Sequence, residues 1–264
     1  MASQLSPPFF SDTPVFDRAQ YARAVGRETS DRVVTTMLNQ HLKAGNIRRI
    51  ARGVFASVPK HAEPATWSTD RFLAASRLRP GGVIGYHSAL ELHGYAYSEG
   101  YDVQVIAAGQ PGLLKTVDFT CRFIKTSSPF LDSDVTSVDR LGQDVRVTTL
   151  ECTVADLFDR PDLAGGSDEL VSSLDLVGRL DARLVLRRLT AVGNAAAAGT
   201  AGWWLEANQD RLGVTDETLA ALQAIAPRQN RYALGAGPGG GRLASRWRVI
   251  LPDSVLNRTF EGQS

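Results

Sequence analysis

Two glycines and a proline punctuate one short stretch, GNIRRIARGVFASVP (residues 45–59), and they limit what the start of the chain can become. Between the marks lie two runs, residues 46–51 and 54–58, rich in β-branched and aromatic side chains. Glycine supplies the backbone freedom that a tight turn needs, and proline ends a strand ladder. The stretch therefore reads as a two-stranded ribbon turning near Arg52-Gly53 and terminated by Pro59. Its alternation is imperfect, because Arg48 and Ile50 fall on one face, so the turn and the β-branched content carry the assignment. Arg48, Arg49 and Arg52 make the ribbon basic. Either it is a solvated edge, or it lies along something negatively charged.

Upstream, a Ser/Pro-rich lead is followed by VFDRAQYARAVG (residues 15–26), where Phe16, Ala19, Ala22 and Val25 recur at helical spacing before Gly26. RETSDRVVTTMLNQHLKAG (residues 27–45) gives a sharper helix, with Thr29 or Ser30 as cap, Asp31 in the first turn and Gly45 as stop. Val34, Met37, Leu38 and Leu42 form its apolar face. Arg32, Thr36, Asn39 and Lys43 recur at i, i+4, i+7 and i+11 on another face. Helix, sharper helix and ribbon within sixty residues is the order of a winged helix, whose second helix enters the major groove. Arg pairs with guanine, Asn with adenine, and Thr bonds either way or touches a thymine methyl. Lys43 and the ribbon arginines would face phosphates. The candidate DNA-binding set is Thr29, Ser30, Arg32, Thr35, Thr36, Asn39, Lys43, Arg48, Arg49 and Arg52.

Charge distribution agrees. The 264-residue chain has 29 Lys or Arg against 28 Asp or Glu, a net +1 that says nothing by itself. Nine of the cations and four of the anions lie in the first sixty residues, a local +5, and the rest carries −4. A basic head on a mildly acidic body fits a nucleic-acid partner. Two cysteines, Cys121 and Cys152, imply no disulfide scaffold. No apolar run approaches a bilayer span, and the N-terminus lacks a basic, then apolar, leader. The expectation is a cytoplasmic protein with no membrane partner.

Beyond a linker, KHAEPATW (residues 60–67), the pattern alternates: helices in 68–78 and 85–94, strands in 101–108 and 117–126, and a hairpin around Gly142. A helix over 150–161 stops at Pro161, residues 166–226 are helical, and strands in 231–235 and 245–252 flank the loop AGPGGG. The fold class expected is α+β: an N-terminal winged helix-turn-helix over residues 1–62, then a mixed α/β domain over 63–264 with a helical late segment.

Other groupings offer less. His87, Glu91 and His93 match no zinc spacing and read as packing residues. Gly235, Gly237 and Gly240 spell G-x-G-x-x-G, but a strand follows where a dinucleotide site needs a helix. Asp156, Asp159 and Asp162 could hold Mg²⁺ for a nuclease or nucleotidyltransferase, the alternative function. No basic partner lies at the short spacing of a nuclease core, so they read better as the end of a helix. No catalytic residue, cofactor or metal is expected.

Four segments resemble the AbiEi-type antitoxins in chain order. LKAGNIRRIARGVFASVP is similar to the family's wing, VIGYHSALELHGYAY and TTLECTVADLFDRPDLAGG to two later segments, and RYALG with RWRVILP to its closing strands. Cys152 departs by standing where the family commonly has Arg, and the Pro-rich lead departs at the start of the winged helix. The resemblance implies an antitoxin and transcriptional repressor of a type IV toxin–antitoxin system, not an enzyme. Its winged helix would bind inverted repeats in its own promoter as double-stranded DNA. Its C-terminal domain would counteract an AbiEii-like nucleotidyltransferase toxin without a lasting complex.

Overall fold

The computed structural model describes residues 7–63, 66–126 and 128–261. The first residues of the Ser/Pro-rich lead and Pro64-Ala65 of the expected linker lie outside them. Among the described residues the fold is mixed α and β, with twelve helices and three sheets. No helix there is long and apolar enough to cross a membrane. The chain divides into two compact units: Met1–Ile84, Tyr101–Lys125 and Ser137–Arg146 in the first, and Gly85–Gly100, Thr126–Thr136 and Val147–Ser264 in the second. The head therefore shares a unit with strands downstream of residue 63, where the sequence places a domain boundary.

In the first unit, a short helix α1 (Pro7–Asp12) occupies the Pro-rich lead. Residues read as the start of a helix form a strand instead, β1 (Val15–Asp17). Helix α2 (Arg18–Ala24) begins only where Asp17 makes a reciprocal cap with Gln20. Helix α3 (Arg32–Lys43) is capped by Asp31, whose carboxylate accepts from the Val33 amide at 2.8 Å. Neither Thr29 nor Ser30 fills that role, because an Asp immediately before the helix reaches the free amides first. The ribbon follows as β2 (Ile47–Ala51) and β3 (Val54–Ser57), with Gly53 at φ +81 in its turn.

The ribbon is not two-stranded. β1 pairs antiparallel with β3, giving the order β1-β3-β2. A register shift between Arg49 and Ala51 explains the imperfect alternation, since it lets Ile47 and Ile50 both turn inward. The head core gathers Phe16, Tyr21, Ala22, Val34, Leu38, Ile47 and Phe55, with Phe9, Phe10, Val25, Met37 and Leu42 packed against it. Burying each larger side chain contributes roughly 1.5–3 kcal/mol. Phe16 and Phe55, partners across β1 and β3, stack with centroids 5.7 Å apart.

The unit continues with α4 (Arg71–Ser76) and six strands: β4 (Val83–Ile84), β5 (Asp102–Ile106), β6 (Gly112–Lys115), β7 (Thr120–Ile124), β8 (Val135–Arg140) and β9 (Gln143–Thr148). Their order is β6-β7-β5-β4-β9-β8. β5 and β7 are parallel, and β6 antiparallel to β7. Leu141 and Gly142, both at positive φ, turn β8 into β9.

The second unit is mainly helical: α5 (Tyr86–His93), α6 (Leu150–Asp159), α7 (Ser167–Asp175), α8 (Ala182–Val192), α9 (Ala195–Ala207), α10 (Gln209–Leu212) and α11 (Asp216–Ile225). A small sheet of β10 (Arg231–Tyr232), β11 (Arg242–Ala244) and β12 (Val249–Leu251) follows, and a helix the sequence did not signal, α12 (Asp253–Glu261), comes last.

Candidate nucleic-acid interface

Helix α3 places its apolar residues inward and its polar flank in solvent. Val34 and Leu38 are buried, while Arg32, Thr36, Asn39 and Lys43 are all exposed. Among the described residues no ion pair engages Arg32 or Lys43, and no side-chain hydrogen bond engages Arg32, Asn39 or Lys43. The Thr36 hydroxyl donates to the Arg32 carbonyl at 3.3 Å, which leaves its lone pairs and methyl outward. His41, on the inner side, meets Phe10 edge-on at 4.9 Å, and burial lowers its pKa. A neutral imidazole there adds no charge to the flank.

The loop before α3 is held by a residue absent from the candidate set. Arg18, first in α2, donates from Nε to the Thr29 carbonyl at 2.6 Å, from Nη2 to the Asp31 carbonyl at 3.0 Å, and from Nη1 to Thr35 Oγ1 at 2.7 Å. Thr29 and Thr35 thus serve first as Arg18 acceptors, although both are exposed. Ser30 is exposed beside them. The Asp31 carboxyl lies below its ordinary pKa because the Val33 amide and then the Arg27 side chain bond it. Partners 11 to 17 residues away follow no helical or strand period, so spacing could not reveal Arg18.

The three ribbon arginines do not form one set. Arg48 pairs with Asp118 at 2.8 Å, also donates to the Trp67 carbonyl, and leaves only 19% of its side chain exposed. It ties the ribbon to its own unit, and the structure withdraws it from the phosphate-facing residues. The β2 register turns it toward that unit and its neighbour Arg49 away. Arg49 is exposed and sits 5.7 Å over the Phe55 ring, and Arg52 is exposed at the turn. With Arg18, Gly53 and Phe55 they line a cavity of about 490 Å³.

The three aspartates of the metal-dependent alternative do not converge. Asp156 is buried and bonded by Arg188 at 2.7 and 3.2 Å, Asp159 accepts from Asn194 at 2.7 Å, and Asp162 pairs with exposed Arg160 at 2.8 Å. Among the described residues no three His, Cys, Asp or Glu side chains are grouped to hold a metal. His87 lies between Glu91 and Glu169, at 3.4 and 3.1 Å, whereas His93 turns to the Thr148 carbonyl at 2.7 Å. Cys121 and Cys152 are free and buried, as small core residues, and burial pushes the Cys121 thiol up to about 12.

No family model matches the chain, and neither does any curated protein. A solved structure, the RV2827C protein from Mycobacterium tuberculosis, superposes with a TM-score of 0.69 at 16% identity, covering 98% of this chain and 94% of that one. At that identity the likeness speaks of fold alone.

Proposed function

We propose that this protein is a DNA-binding antitoxin and autorepressor of a type IV toxin–antitoxin system. Residues 1–62 act as a winged helix that reads inverted repeats in the protein's own promoter. Residues 63–264 counteract a nucleotidyltransferase-like toxin of the AbiEii type without a lasting complex. The antitoxin half rests on the four segments that resemble AbiEi-type proteins. What supports the DNA-binding half is the order α1-β1-α2-α3-β2-β3 with the sheet β1-β3-β2, an arrangement compatible with a winged helix. One observation carries it. Arg32, Thr36, Asn39 and Lys43 share an exposed helix flank, and among the described residues no carboxylate is paired to its cations.

On a duplex, Arg32, Thr36 and Asn39 face base edges, and Lys43, Arg49 and Arg52 face phosphates. Asn39→Ala tests this reading. It loses about 1–3 kcal/mol on the promoter site and far less on random duplex, measured by fluorescence anisotropy at fixed salt. Equal losses on both duplexes remove Asn39 from base reading.

A further inference from the structure

We propose that the cavity lined by Arg18, Arg49 and Arg52 is a built seat for one phosphate group, filled on DNA by a backbone phosphodiester that fixes the register of α3. The identity of the occupant rests on the DNA-binding reading above; the seat itself does not. Three arginines line it, and among the described residues none of them is ion-paired with a carboxylate. Asp31, whose backbone carbonyl Arg18 bonds, pairs its carboxylate with Arg27 at 2.9 Å and feels the charge of Arg18 only from a distance. Like charges gathered without a directly paired carboxylate repel one another, so an anion would stabilise the cavity.

The donor count points the same way. A guanidinium has five N–H donors. Arg18 spends three on Thr29, Asp31 and Thr35, which fixes its plane and leaves two unspent. Arg49 and Arg52 keep all of theirs, and Arg49 is propped over the Phe55 ring. A carboxylate matches one planar fork, whereas tetrahedral phosphate accepts from several directions at once, which suits a cavity lined by three arginines. At about 490 Å³ the space admits a phosphate with its flanking sugars.

The location gives the seat a use. The Arg18 amide donates to the Gly53 carbonyl at 3.0 Å, tying the ribbon turn to α2, while its side chain holds the loop before α3. A phosphate held here is positioned against α2, the ribbon turn and the start of α3 together. Gly53, at φ +81, has nothing within 4 Å of where a Cβ would stand, so the mouth beside it stays open.

The experiment uses the full chain and an Arg49→Gln/Arg52→Gln double variant, both residues being exposed so that the thermal midpoint checks folding. Single methylphosphonates are walked along the promoter duplex, and affinity is followed by anisotropy. The expected result is one position per half-site costing the wild type about tenfold or more and costing the double variant nothing further. The variant's log K against log[salt] slope falls by about one, the share of a single phosphate. An unchanged methylphosphonate profile in the variant overturns the seat. A calorimetric titration with inorganic pyrophosphate separates the two readings. If the wild type binds no duplex but binds pyrophosphate, and the variant does not, the seat stands as a site for free phosphates and the DNA reading falls. Equal pyrophosphate binding by both proteins, or none by a wild type that binds no duplex, overturns the seat as well.

Discussion

Arg52, at the ribbon turn of the head, and Arg188, inside the helical unit, carry the same guanidinium into opposite surroundings. Arg188 is 2% exposed, forks onto Asp156, donates to the Pro129 carbonyl at 3.1 Å and lies 4.7 Å over the Phe130 ring. Burial works against its charge, but the bonds and charge of Asp156 outweigh it and hold its pKa above the ordinary arginine value. Arg187, Arg183 and Arg160 nearby also pair with carboxylates of their own chain. In the head, Arg32, Arg49 and Arg52 pair with none among the described residues. These four arginines of the helical unit are neutralised inside the chain and spent on folding. The three head arginines stay open beside paired Arg27 and Arg48, which costs stability through self-repulsion and suits them to an external polyanion.

The largest effect that can break this contrast comes from the buried pair. Asp156→Asn leaves Arg188 charged and unpaired in the interior, and should cost about 3–5 kcal/mol in urea unfolding. Promoter affinity of the folded protein stays the same. Replacing both partners with apolar residues of similar volume should recover most of the loss. A cost below about 1 kcal/mol for Asp156→Asn would mean that Arg188 reaches solvent, and the contrast between the units would vanish.

Arg48 sharpens the contrast from within the head. Arg48→Ala strands Asp118, which is 9% exposed, and should cost about 1–3 kcal/mol of stability while the salt slope of DNA binding holds. Arg52→Ala should do the reverse, sparing stability and lowering the slope by about one. Identical behaviour of the two variants, in unfolding and in salt titration, would erase the division between a cation used internally and one held open.

What the sequence disclosed follows the range of the interactions involved. Local signals marked α3, the ribbon and the hairpin around Gly142, periodicity for the helix and turn residues for the two ribbons, because each is set by neighbours within a few residues. The exposed flank Arg32–Thr36–Asn39–Lys43 was legible for the same reason, since i, i+4, i+7 and i+11 share a face. Strand β1 was missed because Phe16, Ala19, Ala22 and Val25 mimic a helical period. Pairing with β3, some forty residues on, decides that Val15–Asp17 is extended. Two-residue β4 and exposed β6 are too short or too polar-flanked to announce themselves. The fate of Arg48 depends on Asp118, and the role of Arg18 on Thr29 through Thr35, partners that no spacing rule connects.

The smallest expected effect lies in the helical unit, where a histidine repeats the pattern of internal neutralisation. His87 is buried between Glu91 and Glu169, and Glu169 also accepts from the Ser98 amide, the Ser98 hydroxyl and the Ser173 hydroxyl. Burial lowers the pKa of His87, but the bonds and charges of the two carboxylates outweigh it, and the net shift is upward. For Glu169 burial acts upward and the same bonds prevail downward. A histidine whose folded pKa is raised contributes stability fully below its unfolded value, about 6.5, and loses it as pH climbs through the folded pKa. Glu169, being depressed, contributes above its unfolded value of about 4.3 and loses that contribution on acidification. The two windows overlap between about pH 5 and 6.5, where wild type should most exceed His87→Gln in thermal midpoint. The gap should narrow steadily toward pH 9, and added salt should hardly change it, because both partners are shielded from solvent. A gap that stays constant from pH 5.5 to 9 would show that His87 is neutral throughout and that its carboxylate neighbours hold no charge on it.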